Sequence, residues 1–275
     1  MIPSRSRVKI WLGTALDLVF PALGRDISSG VSPERYIRLK RCIIHSRTVR
    51  ARQRGDTDAL QKVLSDGWRI NNAESFYDKF TDRFDHWFLG PHYETIDELR
   101  TLAQKTQFNR LIEIGCGDGR VLEHCAVVLP DITQAIGIDI NPMIIERNRQ
   151  VFSDNPHLSF TSADASDWLD ANMQDGTIVM TYGGVMEYFS SAALSSMFKA
   201  IAIHDRVAVA LVEPVDPDHD LANDLKSHTF GSENSLSHNH AALLSETGFR
   251  IVFSKALSMG GVSWMMILAE KRSPP

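Results

Sequence analysis

Residues 111–119 read Leu-Ile-Glu-Ile-Gly-Cys-Gly-Asp-Gly, and this stretch decides the fold. A short apolar run ends at three glycines in alternate positions, and a helix-like stretch from Arg120 to Leu129 follows. The order predicts a buried strand, a tight turn and a helix N-terminus, which is how α/β proteins make room for a nucleotide-like ligand. Glycine suits such a turn because it adopts a positive φ and because a ligand can approach a backbone that carries no Cβ.

Acidic side chains follow the next two predicted strands. Residues 135–139, Ala-Ile-Gly-Ile-Asp, form a second apolar run that ends in Asp139. A carboxylate there can accept hydrogen bonds from both ribose hydroxyls of an adenosine. Residues 158–165 predict a third short strand, with Asp164 just beyond its end and placed to meet an adenine edge. Residues 177–189 predict a fourth strand that opens into a loop.

A nicotinamide dehydrogenase is the main alternative for a glycine-rich turn. Its fingerprint, Gly-x-Gly-x-x-Gly, requires glycine at the sixth position, and counting from Gly115 that position is Arg120. The acidic Glu113 before the turn also suits a cofactor with an ammonium group better than a pyrophosphate. A glycine turn that only packs a helix on a sheet does not explain carboxylates after two successive strands.

In this order the segments resemble the class I S-adenosylmethionine-dependent methyltransferases, over about residues 108–270. Residues 113–119 match the family's Glu/Asp-x-Gly-x-Gly-x-Gly motif, residues 137–139 its ribose-binding strand end, and residues 164–165 its adenine-binding acidic site. Residues 185–188, Val-Met-Glu-Tyr, resemble its Val-Leu-Glu-His segment.

Further along the chain, Glu246-Thr-Gly-Phe249 resembles the turn before the last two strands of the family. Two departures weaken any transfer of acceptor chemistry: Tyr188 replaces the usual His, and Thr177 stands where many members have Asp.

The resemblance implies a Rossmann-like α/β fold and its cofactor, S-adenosylmethionine, which leaves as S-adenosylhomocysteine. The expected sheet has seven mostly parallel strands in the order 3-2-1-4-5-7-6, with helices on both faces. We expect residues 106–275 to form this domain and residues 1–105 a helical N-terminal extension that covers the active site. The implied cofactor contacts are Glu113, Gly115, Cys116, Gly117, Gly119, Asp139, Ile140, Met143, Asp164, Ala165 and Tyr182.

Charge is distributed unevenly along the 275 residues. Residues 1–70 hold fourteen Lys and Arg against six Asp and Glu, a formal +8, although the whole chain is at −5. A basic leading segment suggests an anionic partner or a solvated helical face. The three cysteines favour a reducing compartment without a disulfide framework, so we expect a cytoplasmic protein.

The first twenty residues contain an apolar run, residues 8–20, that is too short to span a bilayer, which takes ~20 apolar residues. Asp17 and Pro21 also interrupt a signal-peptide pattern. Two interpretations stay open for a helix here. It packs on the protein or on a second copy in a homodimer, or residues 5–21 make a peripheral contact with an anionic membrane. Its expected apolar face consists of Trp11, Leu12, Ala15, Leu16, Val19 and Phe20.

The region between this helix and the first strand predicts further helices. Ser32-Pro33-Glu34 is a helix-start signal for a helix to about Arg52, and Gly55 should break it. Helices are also expected at residues 57–64 and 91–104. An aromatic-rich stretch, residues 71–88, lies between these two helices, and most of its rings are expected in the core. Acceptor-binding candidates beside that stripe are Tyr77, His86, His92 and Tyr93.

A long polar stretch, residues 214–239, follows the fifth predicted strand, at the sheet edge where α/β proteins bind ligands. Methylation of a hydroxyl or carboxylic acid requires removal of its proton, and a histidine with an ordinary pKa of ~6.5 suits that task. The candidate bases are His238, then His228, then Glu213. Together with His240 the loop histidines could bind a divalent cation, but loop spacing fixes no geometry and we expect no metal.

The favoured activity is O-methylation of a small-molecule, glycan or lipid-linked acceptor. N- or C-methylation of a small metabolite remains an alternative, as does a cofactor-binding protein with a regulatory or assembly role. Nucleic acid is not expected as the acceptor. Tyr182-Gly-Gly-Val stands where an Asn/Asp-Pro-Pro-Tyr-type segment would be needed, and the acidic body opposes phosphate binding.

Overall fold

A seven-stranded sheet forms the centre of the molecule in the computed structural model, which describes residues 4–29, 35–70, 83–129, 131–231, 233–259 and 261–271. The strand order is β3-β2-β1-β4-β5-β9-β8; the first five strands are parallel, and β9 is antiparallel to both of its neighbours, β5 and β8. The predicted order is thereby confirmed, with β9 and β8 in the places of strands 7 and 6. The strands are β1 Arg110–Ile114, β2 Gln134–Asp139, β3 Leu158–Ser162, β4 Thr177–Tyr182, β5 Ala208–Val215, β8 Phe249–Met259 and β9 Val262–Lys271.

Helices cover both faces of this sheet, which is why its central strands are almost continuously apolar. Every residue of β1, β4 and β5 is buried, and two hydrophobic cores lie on the opposite faces. The covering helices are α5 Glu94–Ala103, α6 Arg120–Val128, α7 Pro142–Val151, α8 Ala165–Asn172, α9 Ser191–Ala202 and α10 His240–Glu246.

Side-chain caps fix where these helices begin and therefore where the strand ends point. Asn141 caps α7 by accepting from the backbone N–H groups of residues 143 and 144, and Pro142 occupies the first helical position. Asp164 caps α8 in the same way, so its carboxylate stays at the end of β3.

The polar stretch after β5 contains more order than the predicted loop. Strands β6 His228–Phe230 and β7 Ser235–Ser237 form a separate antiparallel hairpin within it. Three-residue strands carry too little pattern to be recognised in a polar segment, which explains the difference.

Four helices precede the sheet and form an N-terminal layer: α1 Ser4–Val19, α2 Pro21–Ser29, α3 Ile37–Arg54 and α4 Thr57–Ile70. The predicted start signal at residues 32–34 lies outside the described residues. Gly55 ends α3 with a φ of 66°, as expected. α4 runs six residues beyond its predicted end at Leu64, because its apolar face continues through buried Ile70.

The N-terminal layer touches the sheet domain through α4. The backbone carbonyl of Trp68 accepts from the Asn141 side chain, and the Gln61 side chain accepts from the Ser190 N–H. A π-helical turn, Arg83–Phe88, then leads to α5. None of the helices in the described ranges is long and apolar enough to cross a membrane.

Candidate functional site

The glycine loop at the end of β1 takes the tight conformation expected from the sequence. Gly115, Gly117 and Gly119 all have positive φ. A Cβ on Gly115 would also lie 2.6 Å from a methyl group of Val185, so this position excludes any larger residue. The loop is therefore held between β1 and the segment that follows β4.

Asp139 connects the second strand to this loop. One carboxylate oxygen accepts from the Gly117 N–H at 3.2 Å and the other from the Asn141 N–H at 2.9 Å. Burial raises the pKa of Asp139, and these backbone donors oppose the rise. Each carboxylate oxygen retains a lone pair for a further donor, such as a hydroxyl.

A cavity of about 840 Å³ lies beyond the carboxyl ends of β1, β2, β3 and β4. This is the position at which open α/β sheets bind ligands. Six of the predicted cofactor residues line it: Gly115, Asp139, Ile140, Asp164, Ala165 and Tyr182. Ser65 and Trp68 of α4 line it as well, so the N-terminal layer forms one of its walls.

A smaller cavity of about 440 Å³ adjoins the first and shares Arg83, Gly115 and Tyr182 with it. Predicted residues Glu113, Cys116 and Gly117 line this second cavity, together with Asp118 and Arg120. The two cavities thus form one elongated site with an acidic and basic lining at its narrow end.

Glu113 is the most unusual carboxyl group in the site. It is almost completely buried, and its Oε2 has no hydrogen-bond partner within the described part of the chain. Burial, together with the negative charges of Asp118 and Asp139, raises the pKa of Glu113 well above its ordinary value. A backbone hydrogen bond from Leu122 opposes this rise, but leaving the buried Oε2 atom unsatisfied is costly, so a cation bound in the smaller cavity would supply the missing partner.

Two arginines close the same region. Arg83 donates to the backbone carbonyl of Gly183, and its guanidinium lies 5.7 Å from the centre of the Tyr182 ring. Arg120 pairs with Asp118 at 3.0 Å and lies 4.9 Å from the centre of the Phe84 ring. Guanidinium groups in these positions can bind a carboxylate at the narrow end of the site.

His92 supports Tyr182 from behind. Its Nδ1 lies 3.2 Å from the Tyr182 hydroxyl, and burial lowers the pKa of His92 to about 4. The ring is therefore neutral at physiological pH, and its Nδ1 can accept a hydrogen bond from the Tyr182 hydroxyl. Of the other predicted acceptor residues, Tyr93 bonds His124, His86 is exposed, and Tyr77 lies outside the described residues.

The segment after β4 is held by a buried carboxylate. Glu213 accepts from the Thr181 hydroxyl and from the N–H groups of Val185 and Met186. Burial raises the pKa of Glu213 to about 7. This predicted base thus sits beneath the loop and fixes its course.

Glu187 lies in this segment as well; it lines neither cavity itself, but it is next to Gly184, which lines the larger one. A Cβ built on Gly184, a lining residue, would lie 2.5 Å from the Glu187 Oε1. Burial and the charge of Glu233 raise the pKa of Glu187 to about 7, although a Ser235 hydrogen bond and Arg83 oppose the rise. The group is poised to exchange a proton near neutral pH.

The structure does not bring the loop histidines to the cavities. His238 is fully buried, with Nδ1 2.6 Å from the Ser227 hydroxyl, and His228 pairs with Asp216 at 3.1 Å. Neither lines either cavity. The predicted contacts Gly119 and Met143 also stand outside both linings.

The potential metal ligands that the structure brings together are not the set His228, His238 and His240 that the sequence suggested. Ligand atoms of His219, Asp224 and His228 lie within 4.8 Å of one another.

Sequence reasoning missed several lining residues, of which Trp68, Tyr188 and Phe189 are aromatic. The rings of Trp68 and Tyr188 meet edge to face, with centroids 5.6 Å apart. The only available signal was the match of residues 185–188 to a family segment, and nothing in the helical pattern of α4 pointed Trp68 toward the sheet.

Comparisons with known proteins agree with this geometry. Residues 111–204 match the family model described as a methyltransferase domain. An S-adenosylmethionine-dependent methyltransferase from Clostridium acetobutylicum ATCC 824 has a similar fold, with 12% identity, a TM-score of 0.51, and coverage of 72% of this chain and 100% of that one. No protein of curated function matches the sequence.

Two further solved structures show weaker similarity. Magnesium protoporphyrin IX methyltransferase from Synechocystis PCC 6803, with bound S-adenosylmethionine, has 15% identity and a TM-score of 0.47, and the match covers 74% of this chain and 98% of that one. The N-methyltransferase NodS from Bradyrhizobium japonicum WM9 has 14% identity and a TM-score of 0.49, with 66% and 96% covered.

Proposed function

We propose that the protein uses S-adenosylmethionine to methylate an oxygen atom of a small-molecule, glycan or lipid-linked acceptor, since residues 111–204 match the family model described as a methyltransferase domain. The observation that carries this proposal is Glu187, a mostly buried carboxyl group behind Gly184 whose pKa is raised to about 7. A hydroxyl acceptor loses a proton on methylation, and a base whose pKa lies near the working pH serves best.

The lining residues fit the cofactor group by group. Glu113 and Asp118 can hold its ammonium group, and the unpartnered Oε2 of Glu113 provides an acceptor for it. Arg120 and Arg83 can hold its carboxylate. Bound there, S-adenosylmethionine supplies a methyl group on a positively charged sulfur, which is already a strong electrophile.

At the wider end, Asp139 and Asp164 line the larger cavity. Asp139 can accept hydrogen bonds from the ribose hydroxyls, and Asp164 can meet the adenine edge. With the adenosine in the larger cavity and the amino-acid end in the smaller one, the methyl group would lie near the residues common to both. Those residues are Arg83, Gly115 and Tyr182.

The protein's remaining contribution is orientation and exclusion of water. His92 fixes the Tyr182 hydroxyl, and Phe88 packs against the Tyr182 ring with centroids 5.0 Å apart. Glu213 fixes the backbone of the segment that carries Glu187. Holding a nucleophile in line can contribute roughly 7–11 kcal/mol, so these positioning contacts matter as much as the base.

An open groove of about 970 Å³ reaches the site through Trp68 and Tyr188, which line both spaces. Its lining combines isoleucines of α3 and α4 with Arg41 and His45. Glu233 lines the groove as well. An acceptor with an apolar part fits the isoleucines of this lining, which supports the lipid-linked option. We infer that residues 1–105 form the acceptor-facing extension and residues 106–275 the catalytic domain.

The test compares two carboxylates that lie close together. Glu187→Gln should lower turnover about 100-fold or more, because an amide accepts no proton, and should leave S-adenosylmethionine affinity unchanged in calorimetry. Wild-type kcat/KM should rise as pH increases through about 7, the pKa of Glu187, and the variant should lose that rise. Glu233→Gln removes a neighbouring charge that raises the pKa of Glu187, so it should change turnover by only a few-fold and move the rise of kcat/KM to lower pH without abolishing it.

Turnover is measured as S-adenosylhomocysteine formed with matched pairs of hydroxyl acceptors and their amine analogues, including glycans and lipid-linked sugars. Methylation of hydroxyl members with loss in Glu187→Gln supports the proposal. Methylation of amine members alone, full activity of Glu187→Gln, or cofactor binding without turnover on any pair contradicts it.

A further inference from the structure

Helix α1 turns its apolar side toward solvent. Its apolar residues recur at positions 8, 11, 12, 15, 18 and 19, a spacing that places them on one stripe of a helix. Trp11 is 74% exposed and Leu18 77% exposed, and Val8, Leu12, Val19 and the following Phe20 are exposed as well. For the described chain this is a contiguous apolar surface, which we call the α1 stripe (residues 8, 11, 12, 15, 18 and 19).

The opposite side of α1 is held against α3 by small and polar residues. Gly13 contacts the backbone of Cys42 so closely that a Cβ would overlap its carbonyl. The Thr14 and Ser46 hydroxyls are 2.7 Å apart, and Arg47 binds both carboxylate oxygens of Asp17 at 2.6 and 2.9 Å. Rotation of α1 to bury its stripe would break all of these contacts, so the stripe stays available to something outside the chain.

The positive charge of the N-terminal layer indicates what kind of surface can bind the α1 stripe. Residues 1–70 have a formal charge of +8, and Lys9, Arg25, Arg38 and Arg41 are exposed on α1, α2 and α3. A second copy docked stripe to stripe would bring two such basic layers together, which electrostatic repulsion opposes. An anionic lipid surface offers both opposite charge and an apolar interior for the stripe.

We propose that the α1 stripe docks the protein on an anionic lipid bilayer, with α1 lying in the plane of the interface. Trp11, Leu18 and Val19 enter the boundary between headgroups and acyl chains, where such helices bury their apolar side. Exposed Lys9 and Arg25 contact the headgroups, where each basic residue contributes about 1 kcal/mol. This inference does not depend on which acceptor is methylated.

The experiment is sedimentation of the full chain with phosphatidylcholine vesicles and with phosphatidylcholine–phosphatidylglycerol vesicles. Binding is expected to the anionic vesicles only and to weaken as salt increases. Trp11→Ser with Leu18→Ser should lower the partition coefficient by roughly tenfold or more, because about two large side chains lose their burial in lipid. Lys9→Gln and Arg25→Gln should each lower it about fivefold.

Val127→Ser with Ile203→Ser is the matched control, since both residues are 77% exposed but lie on the sheet domain. This control should bind vesicles like the wild type. Equal loss in the control, equal binding to neutral vesicles, or no sedimentation of a folded wild type would overturn the proposal. So would a lipid-free dimer, detected by analytical ultracentrifugation, that Trp11→Ser with Leu18→Ser converts to a monomer.

Discussion

The central sheet and the N-terminal layer bury different kinds of side chain. Strands β4 and β5 are buried at every position, almost entirely with apolar residues, whereas α1 meets α3 through Thr14, Ser46 and the Asp17–Arg47 ion pair. The Arg47 guanidinium lowers the pKa of Asp17, as expected for a formed pair. In the central strands β1, β4 and β5 the polar side chains lie at or near the strand ends, whereas between α1 and α3 they form part of the contact between the two helices.

The central strands and α1 bury different side chains because they have different numbers of neighbouring elements. A central strand has a helix on each face, so both sets of side chains leave water. A surface helix such as α1 has one partner, and a close approach at Gly13 favours small residues at that contact. A hydrophobic pattern therefore shows which face tends to leave water, but it does not show what covers that face.

The largest expected effect is on the free energy of unfolding, and it comes from His238, a buried polar residue of the sheet domain. Burial lowers the pKa of His238 from 6.5 to about 4, so below pH 6.5 the unfolded chain binds a proton that the folded chain does not. Stability from this group is therefore lost as pH falls from about 6.5 to 4, by roughly 3 kcal/mol in total.

Urea unfolding of wild type and His238→Gln over this pH range measures that loss. The opposite contributions of Glu187 and Glu213, whose raised pKa values reduce stability as pH rises from about 4.5 to 7, are common to both proteins and cancel in the difference. The wild type should lose stability more steeply than the variant as pH falls. Parallel curves would show that His238 is not buried in its neutral form.

An intermediate effect is expected at the end of β2. Asp139→Ala removes a charged acceptor from the larger cavity and also releases the N–H groups of Gly117 and Asn141. Calorimetry should show S-adenosylmethionine affinity reduced by about 2 kcal/mol, or roughly 30-fold. Asp167→Ala, an exposed carboxylate on α8, should leave affinity unchanged. If both variants bind like the wild type, the strand ends do not form the cofactor site.

The two regions also differ in how far the sequence predicted them. The strand order followed from the family resemblance. The carboxylates at strand ends followed from apolar runs that end in glycine and aspartate, because parallel strands bring their carboxyl ends to one edge. Trp68 and Arg83 could not be found that way, since their approach to the sheet depends on how the N-terminal layer docks.

The same limit applies to the candidate base. His238 directly follows the hairpin β6–β7, is buried against the segment after β4 and lines neither cavity, so its role as a base stays a prediction. Glu187 lay inside a recognised segment, yet only its burial and its position behind Gly184 make it a candidate. Leu16, one residue of the predicted apolar face of α1, packs against the small core of the N-terminal layer, whereas Trp11, Leu12 and Val19 of that face are exposed.

The smallest effects test the packing of that layer directly. Gly13→Ala would place a methyl group on the Cys42 carbonyl, and α1 must move away from α3 to accept it. We expect a loss of about 1–2 kcal/mol, at the lower end of overpacking costs because a surface helix can shift. Hydrogen exchange should show faster exchange in residues 4–29, while S-adenosylmethionine affinity and exchange in the sheet stay unchanged.

Gly67→Ala is the matched substitution in the same layer, and it should have the opposite sign. A Cβ on Gly67, in α4, would meet only a methyl group of Ile44 at 3.7 Å, an ordinary van der Waals contact. The gain in helix propensity should then stabilise α4 by about 0.5–1 kcal/mol, seen as slower exchange in residues 57–70. Stabilisation by both substitutions would mean that α1 is not closely packed on α3, and the contrast between a polar helix contact and an apolar sheet core would lose its basis.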